Sequence, residues 1–395
     1  MSSPPPAPAV FPPAALCSAR ARLGGLVLAA ILDALLADPA RHHPVAGFGG
    51  VAARVEATSY RDSRLAGTLH TALLIAAVTL PAAVTDRRLA RRLTHPSGPG
   101  PDRGPDRGPA GGAAIAARVG RPSAVPLLLA TAGLGWVVLG GTSLRRAGRR
   151  IGTALADGDL AGARTLLPTL CGRDPANLDE SALARGAIES IAENTCDAVV
   201  APLWWGAVAG LPGLAAYRAV NTLDAMIGHH SPRYERFGSC AARLDDLANL
   251  IPARIGAFAA CVCAPLVGGN PVDAYWVLRR DGRSHPSPNA GPVEAAFAGA
   301  LGLRLGGELR YPYRVEHRPQ LGFGRAPTGT DIAAAARLSA ATGAVSLAVT
   351  VLAAAAASTL RALVTSRTLR RSRQPRRPRH TRHTRQVPQA QHGRG

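Results

Sequence analysis

Six apolar runs, each close to the length of a bilayer crossing, constrain this chain more than any other feature. They cover residues 23–37, 65–84, 122–141, 198–220, 250–268 and 339–364. A helix needs about 20 mostly apolar residues to cross the hydrocarbon core. Within that core only helices and closed barrels satisfy their own backbone. No strand pattern of any length is present, so the expectation is an all-α, polytopic helical membrane protein with four to six spans. Charge agrees with this. Only 18% of residues are charged and 47% are hydrophobic, against about 25% charged in an ordinary soluble domain. Two of the runs carry Pro202, Pro212, Pro252 and Arg254. Such breaks are tolerated in a membrane only against other protein or a wet cavity.

The formal net charge of +21 is unevenly spread. Residues 366–395 hold ten Arg and no acid, among Pro, Gln and His. That segment has too few apolar side chains to fold and reads as a disordered, cytoplasmic tail. It has no aromatic platform, which argues against a nucleic-acid partner. Residues 1–16 are Pro- and Ala-rich and read as a disordered N-terminus. Residues 94–121 contain two copies of Pro-Asp-Arg-Gly and read as a flexible linker. The catalytic domain is therefore expected over 17–365. The first run follows Arg20 and Arg22 like a signal peptide, but Asp33 and Asp38-Pro39 argue against cleavage there. Basic clusters follow the second run (Arg87, Arg88, Arg91, Arg92) and the third (Arg145, Arg146, Arg149, Arg150). The positive-inside rule wants both in the cytoplasm, so either 122–141 is re-entrant or one cluster breaks the rule.

The chain has no Lys, which excludes a Walker-type phosphate loop. Its six cysteines form no CxxC pair, so thiolate metal spacing is absent. The chemistry lies in other groups. Glu189, Glu193 and Asp197 are spaced four apart and stack on one face of a helix. Three like charges there make sense against a cation such as Mg²⁺, or as a surface stripe paired with Arg. Arg218, Asn221 and Asp224 recur at steps of three at the end of an apolar run, and His229-His230 follow. Charge at that depth is costly and usually functional; the bland alternative is an internal ion pair. Arg243, Asp245, Asp246 and Asn249 form a plausible metal–phosphate site, and Arg254 needs an anionic partner. His285-Pro-Ser287-Pro-Asn289-Ala-Gly291-Pro292 precedes a helix, with Asn289 or Gly291 as its cap and Pro292 in its first turn. A helix start of this kind binds anions or is a plain cap. Asp38 and His43 stand at a membrane edge, as a site or as structure. Residues 144–155, 160–170 and 177–191 show helical spacing, with turns at Asp157-Gly158-Asp159 and at 171–175.

Several of these stretches, in this order, resemble the CobD/CbiB family. They are Ala192-Glu193-Asn194-x-x-Asp197, Tyr217 to Met226, Arg243-Leu244-Asp245-Asp246 with Asn249, Ile251-Pro252-Ala253-Arg254, 285–291, and Asp38-Pro39 with His43-Pro44-Val45. The resemblance spans roughly 23–325 apart from the linker. Departures are mild: Ala198 and Ala37 stand where the family usually has Gly, Val293 replaces a frequent Trp, and His229-His230 replace an aromatic and a basic residue.

The resemblance implies a cell-membrane enzyme of cobalamin biosynthesis. It would condense adenosylcobyric acid with (R)-1-amino-2-propanol O-2-phosphate, or a related amino alcohol, using ATP with Mg²⁺ to give adenosylcobinamide phosphate. On that footing Glu189, Glu193, Asp197, Asp245 and Asp246 are expected to hold metal. Arg218, Asn221, Arg243, Asn249, Arg254, Ser287 and Asn289 are expected to bind phosphate or substrate. Asp224 is the expected base, with His285 the alternative. The expected partners are the corrinoid, the amino-alcohol phosphate and the bilayer; association with other cobalamin-pathway enzymes is compatible with this. The competing readings are a Mg²⁺-dependent membrane prenyltransferase, which would need a second Asp-rich motif like Asp245-Asp246, and a transporter of an anionic substrate, for which no internal repeat is visible.

Overall fold

The computed structural model describes residues 14–39, 43–94, 123–229, 231–311 and 314–372. The linker expected over 94–121, most of the expected tail, His230 and nearly all of the N-terminal segment fall outside them. The described chain is helical apart from one hairpin. In order come α1 (Ala14–Leu36), α2 (Pro44–Ser59), α3 (Arg64–Thr94), α4 (Val125–Val138), α5 (Gly141–Ala156), α6 (Leu160–Leu166) and α7 (Glu180–Thr195). Then follow α8 (Ala201–Leu223), α9 (Ser239–Cys263), α10 (Pro271–Asp281), α11 (Ala290–Leu301), β1 (Leu305–Tyr311), β2 (Arg314–Leu321) and α12 (Asp331–Ser372). α12 runs seven residues past 365, into the segment expected to be tail.

Five stretches are long and apolar enough to cross a membrane: Arg64–Leu93, Val125–Ala156, Glu180–Gly228, Ser239–Val267 and Asp331–Val364. This is a multi-pass membrane protein. Leu65, Leu69, Leu73 and Leu80 on α3, and Leu352, Leu360 and Leu363 on α12, are exposed and form lipid-facing surface. α1 and α4 meet through small residues. A Cβ at Gly25 would lie 2.6 Å from the Leu128 carbonyl oxygen, and one at Gly135 would lie 2.7 Å from Ala29. Close backbone approach of this kind is how apolar helices associate in lipid. The largest core lies elsewhere, where Ile151, Leu183, Ile188, Ile191, Phe297 and Ile332 from α5, α7, α11 and α12 are fully buried together.

The helix breaks have identifiable causes. Gly210 in α8 has φ +68° and leaves the helical conformation two residues before Pro212. The Leu211 N–H donates instead to Asp86 of α3 (3.4 Å), and Asp86 is paired with Arg22 of α1 at 3.0 and 2.5 Å. Between α4 and α5 the break at Gly140 is capped by Asp33, which accepts from the Thr142 N–H and hydroxyl, both at 3.1 Å. Asp33 is thus a helix cap.

The hairpin departs from the expectation of no strands. β1 and β2 are antiparallel, with Gly307 opposite Arg318 and Glu308 opposite His317, and a bulge between Leu305 and Gly307. Its sequence hides it: the bulge and the Pro319 break remove the alternation by which a strand is read.

Candidate functional site

Two helices widen by a π turn where they carry acids. One turn, Cys196–Val200, holds Asp197, and the other, Asp224–Gly228, holds Asp224. Such turns re-aim side chains and are frequent at functional sites. Beside the first, a small cleft of about 30 Å³ is lined by Glu193, Cys196, Asp197, Asp245, Asp246, Asn249, Ser287, Asn289 and Ala290. Four carboxylates thus share one small space, and no basic side chain lines it among the described residues.

Asp245 is the best anchored of the four. It accepts from Asn221 Nδ2 at 3.3 Å and from Asn249 Nδ2 at 2.9 Å. The Asn249 oxygen accepts from the Tyr217 hydroxyl at 3.0 Å, and Arg218 Nη1 donates to the Asn221 oxygen at 3.4 Å. On the third wall, Asn289 donates to the Asp246 carbonyl (2.7 Å) and accepts from Arg254 Nη1 (2.8 Å). Arg254 also donates to the Leu250 carbonyl (3.0 Å), so its described partners are neutral oxygens. Asn289 is the N-cap residue of α11, one of the two expected, and the Ser287 hydroxyl just before it accepts from the N–H groups of Asn289 (3.3 Å) and Ala290 (3.1 Å). Asn289 and Gly291 do not serve as its side-chain cap, because the Asn289 amide is committed to Arg254 and Asp246.

Other expected site residues do not line the cleft, although Asp224 is near enough to interact electrostatically with Glu193, Asp197, Asp245 and Asp246. Glu189 points away: one oxygen pairs with Arg173 and the other accepts from the Gly306 N–H at the hairpin bulge (2.6 Å). A four-residue spacing drifts by about 40° per step on a helix of 3.6 residues per turn, so the stripe fans out. Arg243 is on the exposed side of α9. The Asp224 carboxylate lies against Gly228, where an added Cβ would meet its Oδ1 at 1.9 Å. His285 is buried behind the loop. Its Nδ1 accepts from the Ser287 N–H (3.0 Å), and its Nε2 faces Arg318 (3.1 Å) and Glu294 (4.0 Å). Burial, then the Arg318 charge, lowers its pKa and favours the neutral imidazole. His229 is exposed and stacks edge-on against Tyr234, with ring centroids 5.0 Å apart.

Three residues that the spacing argument did not single out matter here. Arg173 neutralises Glu189, Tyr217 supports Asn249, and Glu294 is fully buried with neither oxygen hydrogen-bonded. Burial, then the charges of Glu189 and Glu193, raises the Glu294 pKa well above the usual carboxylate range. Glu294 carries a visible signal, a lone acid in the apolar helix Ala-Gly-Pro-Val-Glu-Ala-Ala-Phe.

A second, larger cavity of about 620 Å³ has Asn221 in its wall, and Asn221 donates to Asp245 of the cleft. Asp38, His43, Ser143, Asn194 and Arg218 are among its walls.

The family model described as CobD/Cbib protein matches residues 26–339. The chain belongs to this family. The match takes in both cavities and every residue expected to act, and it stops within α12. A curated relative, the cobalamin biosynthesis protein CobD of Mycobacterium tuberculosis (strain ATCC 25618 / H37Rv), is 48% identical over 318 residues, 80% of this chain and 91% of its own. The same-named protein of Chromobacterium violaceum is 38% identical over 324 residues, covering 79% and 90%. That of Rhodobacter capsulatus is 46% identical over 221 residues, covering 56% and 69%. No solved structure matches the chain. Membership of the CobD/CbiB family favours neither the prenyltransferase nor the transporter reading.

Proposed function

We propose that this chain is the amide-forming ligase of cobalamin biosynthesis. It joins a propionate carboxyl of adenosylcobyric acid to (R)-1-amino-2-propanol O-2-phosphate, or a related amino alcohol, at the expense of ATP. A carboxylate does not react with an amine unaided at neutral pH. Transfer of a phosphoryl group from ATP makes an acyl phosphate, which the amine then displaces. The observation that carries this reading is the cleft of four carboxylates with no cation in its walls. Hard oxygen donors without a counter-charge suit Mg²⁺, which usually takes one or two carboxylates and completes its shell with water and substrate phosphates. Among the described residues no three His, Cys, Asp or Glu converge to hold an ion by themselves, so an ion here would need substrate phosphates and water to complete its shell. Asp245 and Asp246, with Asp197 and Glu193 opposite, would hold the ion, which would offset the charge of the triphosphate. Ser287 and Asn289 shape the anion-facing end of α11, and Arg218, with its Nε buried and unpartnered, offers charge to the substrate carboxylate or phosphate. The Arg excess of 366–395 supports a cytoplasmic C-terminus under the positive-inside rule, on the side where ATP is available.

Membranes bearing the protein, supplied with adenosylcobyric acid, aminopropanol phosphate and Mg-ATP, should yield the amide by mass spectrometry, and only with ATP. Absence of product with folded protein present, also with unphosphorylated aminopropanol and ethanolamine phosphate, would overturn the ligase assignment.

A further inference from the structure

The ligase reading needs a group to take a proton from the incoming ammonium. The two residues expected for this, Asp224 and His285, line neither the cleft nor the larger cavity. Asp38 does line the larger cavity. Its Oδ1 accepts the Ser143 hydroxyl, and its Oδ2 faces His43 Nε2 at 3.6 Å. His43 Nδ1 accepts the Val45 N–H at 3.1 Å, which leaves the ring proton on Nε2, toward Asp38. The hydroxyl therefore donates to this carboxylate, the imidazole faces it just beyond hydrogen-bond distance, and the Arg218 guanidinium is near enough to interact with it electrostatically.

The backbone before Asp38 is held in a costly conformation. Ala37 has φ +60°, the left-handed region, in a chain where every other described residue with positive φ is Gly. Its N–H donates to Asp33 O (2.9 Å) and its carbonyl accepts from Trp136 Nε1 (2.8 Å). Strain that surrounding contacts enforce points to a positioned group. Across the cavity stand Arg218 and Asn221, and Asn221 reaches through to Asp245 of the cleft. The cavity thus carries a carboxylate on one wall and a guanidinium on another. That suits an ammonium meeting an anionic acyl donor.

We propose that Asp38 binds the ammonium of the amine substrate in the larger cavity and accepts its proton, with His43 and Ser143 as positioning residues. This rests on the ligase reading. The ammonium gives one proton to Asp38. The freed lone pair attacks the acyl carbon, the N–C bond forms, and the C–O bond to phosphate breaks. The amine's second proton leaves with the phosphate, and Asp38 returns its own to water.

The test uses the full chain in membranes and two nucleophiles. Hydroxylamine is neutral at pH 7, needs no deprotonation, and traps an acyl phosphate as a hydroxamate. Asp38→Asn should lose ATP-dependent amide formation by about 10²-fold while hydroxamate formation stays within about threefold of wild type, a free-energy change under about 1 kcal/mol. Ser143→Ala should raise the amine KM about tenfold, the scale of one lost hydrogen bond to a charged group, His43→Gln, whose ring only faces Asp38, about threefold, and both should leave hydroxamate formation alone. Amide formation by Asp38→Asn at near the wild-type rate would overturn the proposal. So would a parallel loss of hydroxamate, which would place Asp38 in the activation half. If Asp38→Asn does not accumulate, His43→Gln decides in the same way: an unchanged amine KM overturns it. Wild-type protein giving neither product would instead sink the ligase reading itself, and this assignment with it.

Discussion

Asn221, in the wall of the larger cavity, bonds to Asp245 of the acidic cleft, and the two spaces are built on opposite electrostatic plans. The cleft gathers Glu193, Asp197, Asp245 and Asp246 with no cation in its walls. The cavity sets Asp38 and Arg218 in one space. Like charges crowded together are relieved by protonation or by a counter-charge supplied from outside. A space with both signs is already balanced and favours a dipolar or mixed-charge guest. The difference suggests division of labour: phosphoryl chemistry on one side of Asn221 and amine chemistry on the other.

The sharpest way to break that comparison is to remove the cleft's anchor. Asp245→Ala should cut ATP-dependent turnover by about 10³-fold, the scale on which aligned electrostatic groups act. The amide assay checks the loss, and a melting curve in detergent should be near wild type. Chelation of divalent cations should give the same loss without a mutation. Turnover that survives both would leave the carboxylates without a metal role.

Glu189 sharpens the contrast. It shares its four-residue spacing with Glu193 but is committed to Arg173 and Gly306. Glu189→Ala strands a buried guanidinium, which costs about 3–5 kcal/mol. The expected outcome is a protein that accumulates poorly and melts early. Glu193→Gln should instead fold normally and turn over slowly. If Glu189→Ala folds normally and only loses activity, the two residues belong to one site after all.

Much of the cleft is legible in the sequence because helical periodicity brings i, i+3 and i+4 residues together. Asp245, Asp246 and Asn249 needed nothing more. Periodicity fails where the backbone leaves the α-helix. No spacing rule announces the π turn that carries Asp197 or the one that turns Asp224 onto Gly228. The fate of Glu189 depends on Arg173, which lies in a turn without periodicity, and on a hairpin whose bulge and Pro319 hide the strands. The larger cavity was hidden for another reason. Asp38, Ser143 and Arg218 lie far apart along the chain, and one sequence holds no record of which distant residues meet. Five of the six apolar runs, by contrast, fall in the five membrane-length helical stretches, and only 23–37 does not, because bilayer thickness constrains length residue by residue.

Glu294 tests how the buried side of the cleft is balanced. Its pKa is raised by burial and by Glu189 and Glu193, so the folded state holds it protonated. The unfolded chain ionises it near pH 4.3, to within about a unit. The stability it contributes is therefore fully present below about that pH and is lost as pH rises toward the folded value, by at most about 1.4 kcal/mol per pH unit. Glu294→Gln keeps the shape without the charge. The variant's melting temperature relative to wild type should rise steadily between about pH 5 and 8. A flat difference would mean that Glu294 finds a partner that ionises it.

The smallest effect concerns the turn that aims Asp38. An L-residue in the left-handed region costs about 1–2 kcal/mol, which glycine avoids. Glycine also has more unfolded-state freedom to lose, about 0.5–1 kcal/mol relative to alanine. Ala37→Gly should therefore stabilise the protein by about 0.5–1 kcal/mol. Because φ +60° is open to both residues, the carbonyl bond to Trp136 and the aim of Asp38 should persist, and the amine KM should not change. Ala37→Val should do the reverse, since branching at Cβ makes the left-handed region costlier, and should raise that KM as the turn relaxes. Melting and amine kinetics on the pair separate two roles for the turn. A stability change without a KM change in the Val variant would make it a helix terminator only. Movement of both together ties the strain at Ala37 to the placement of the Asp38 carboxylate.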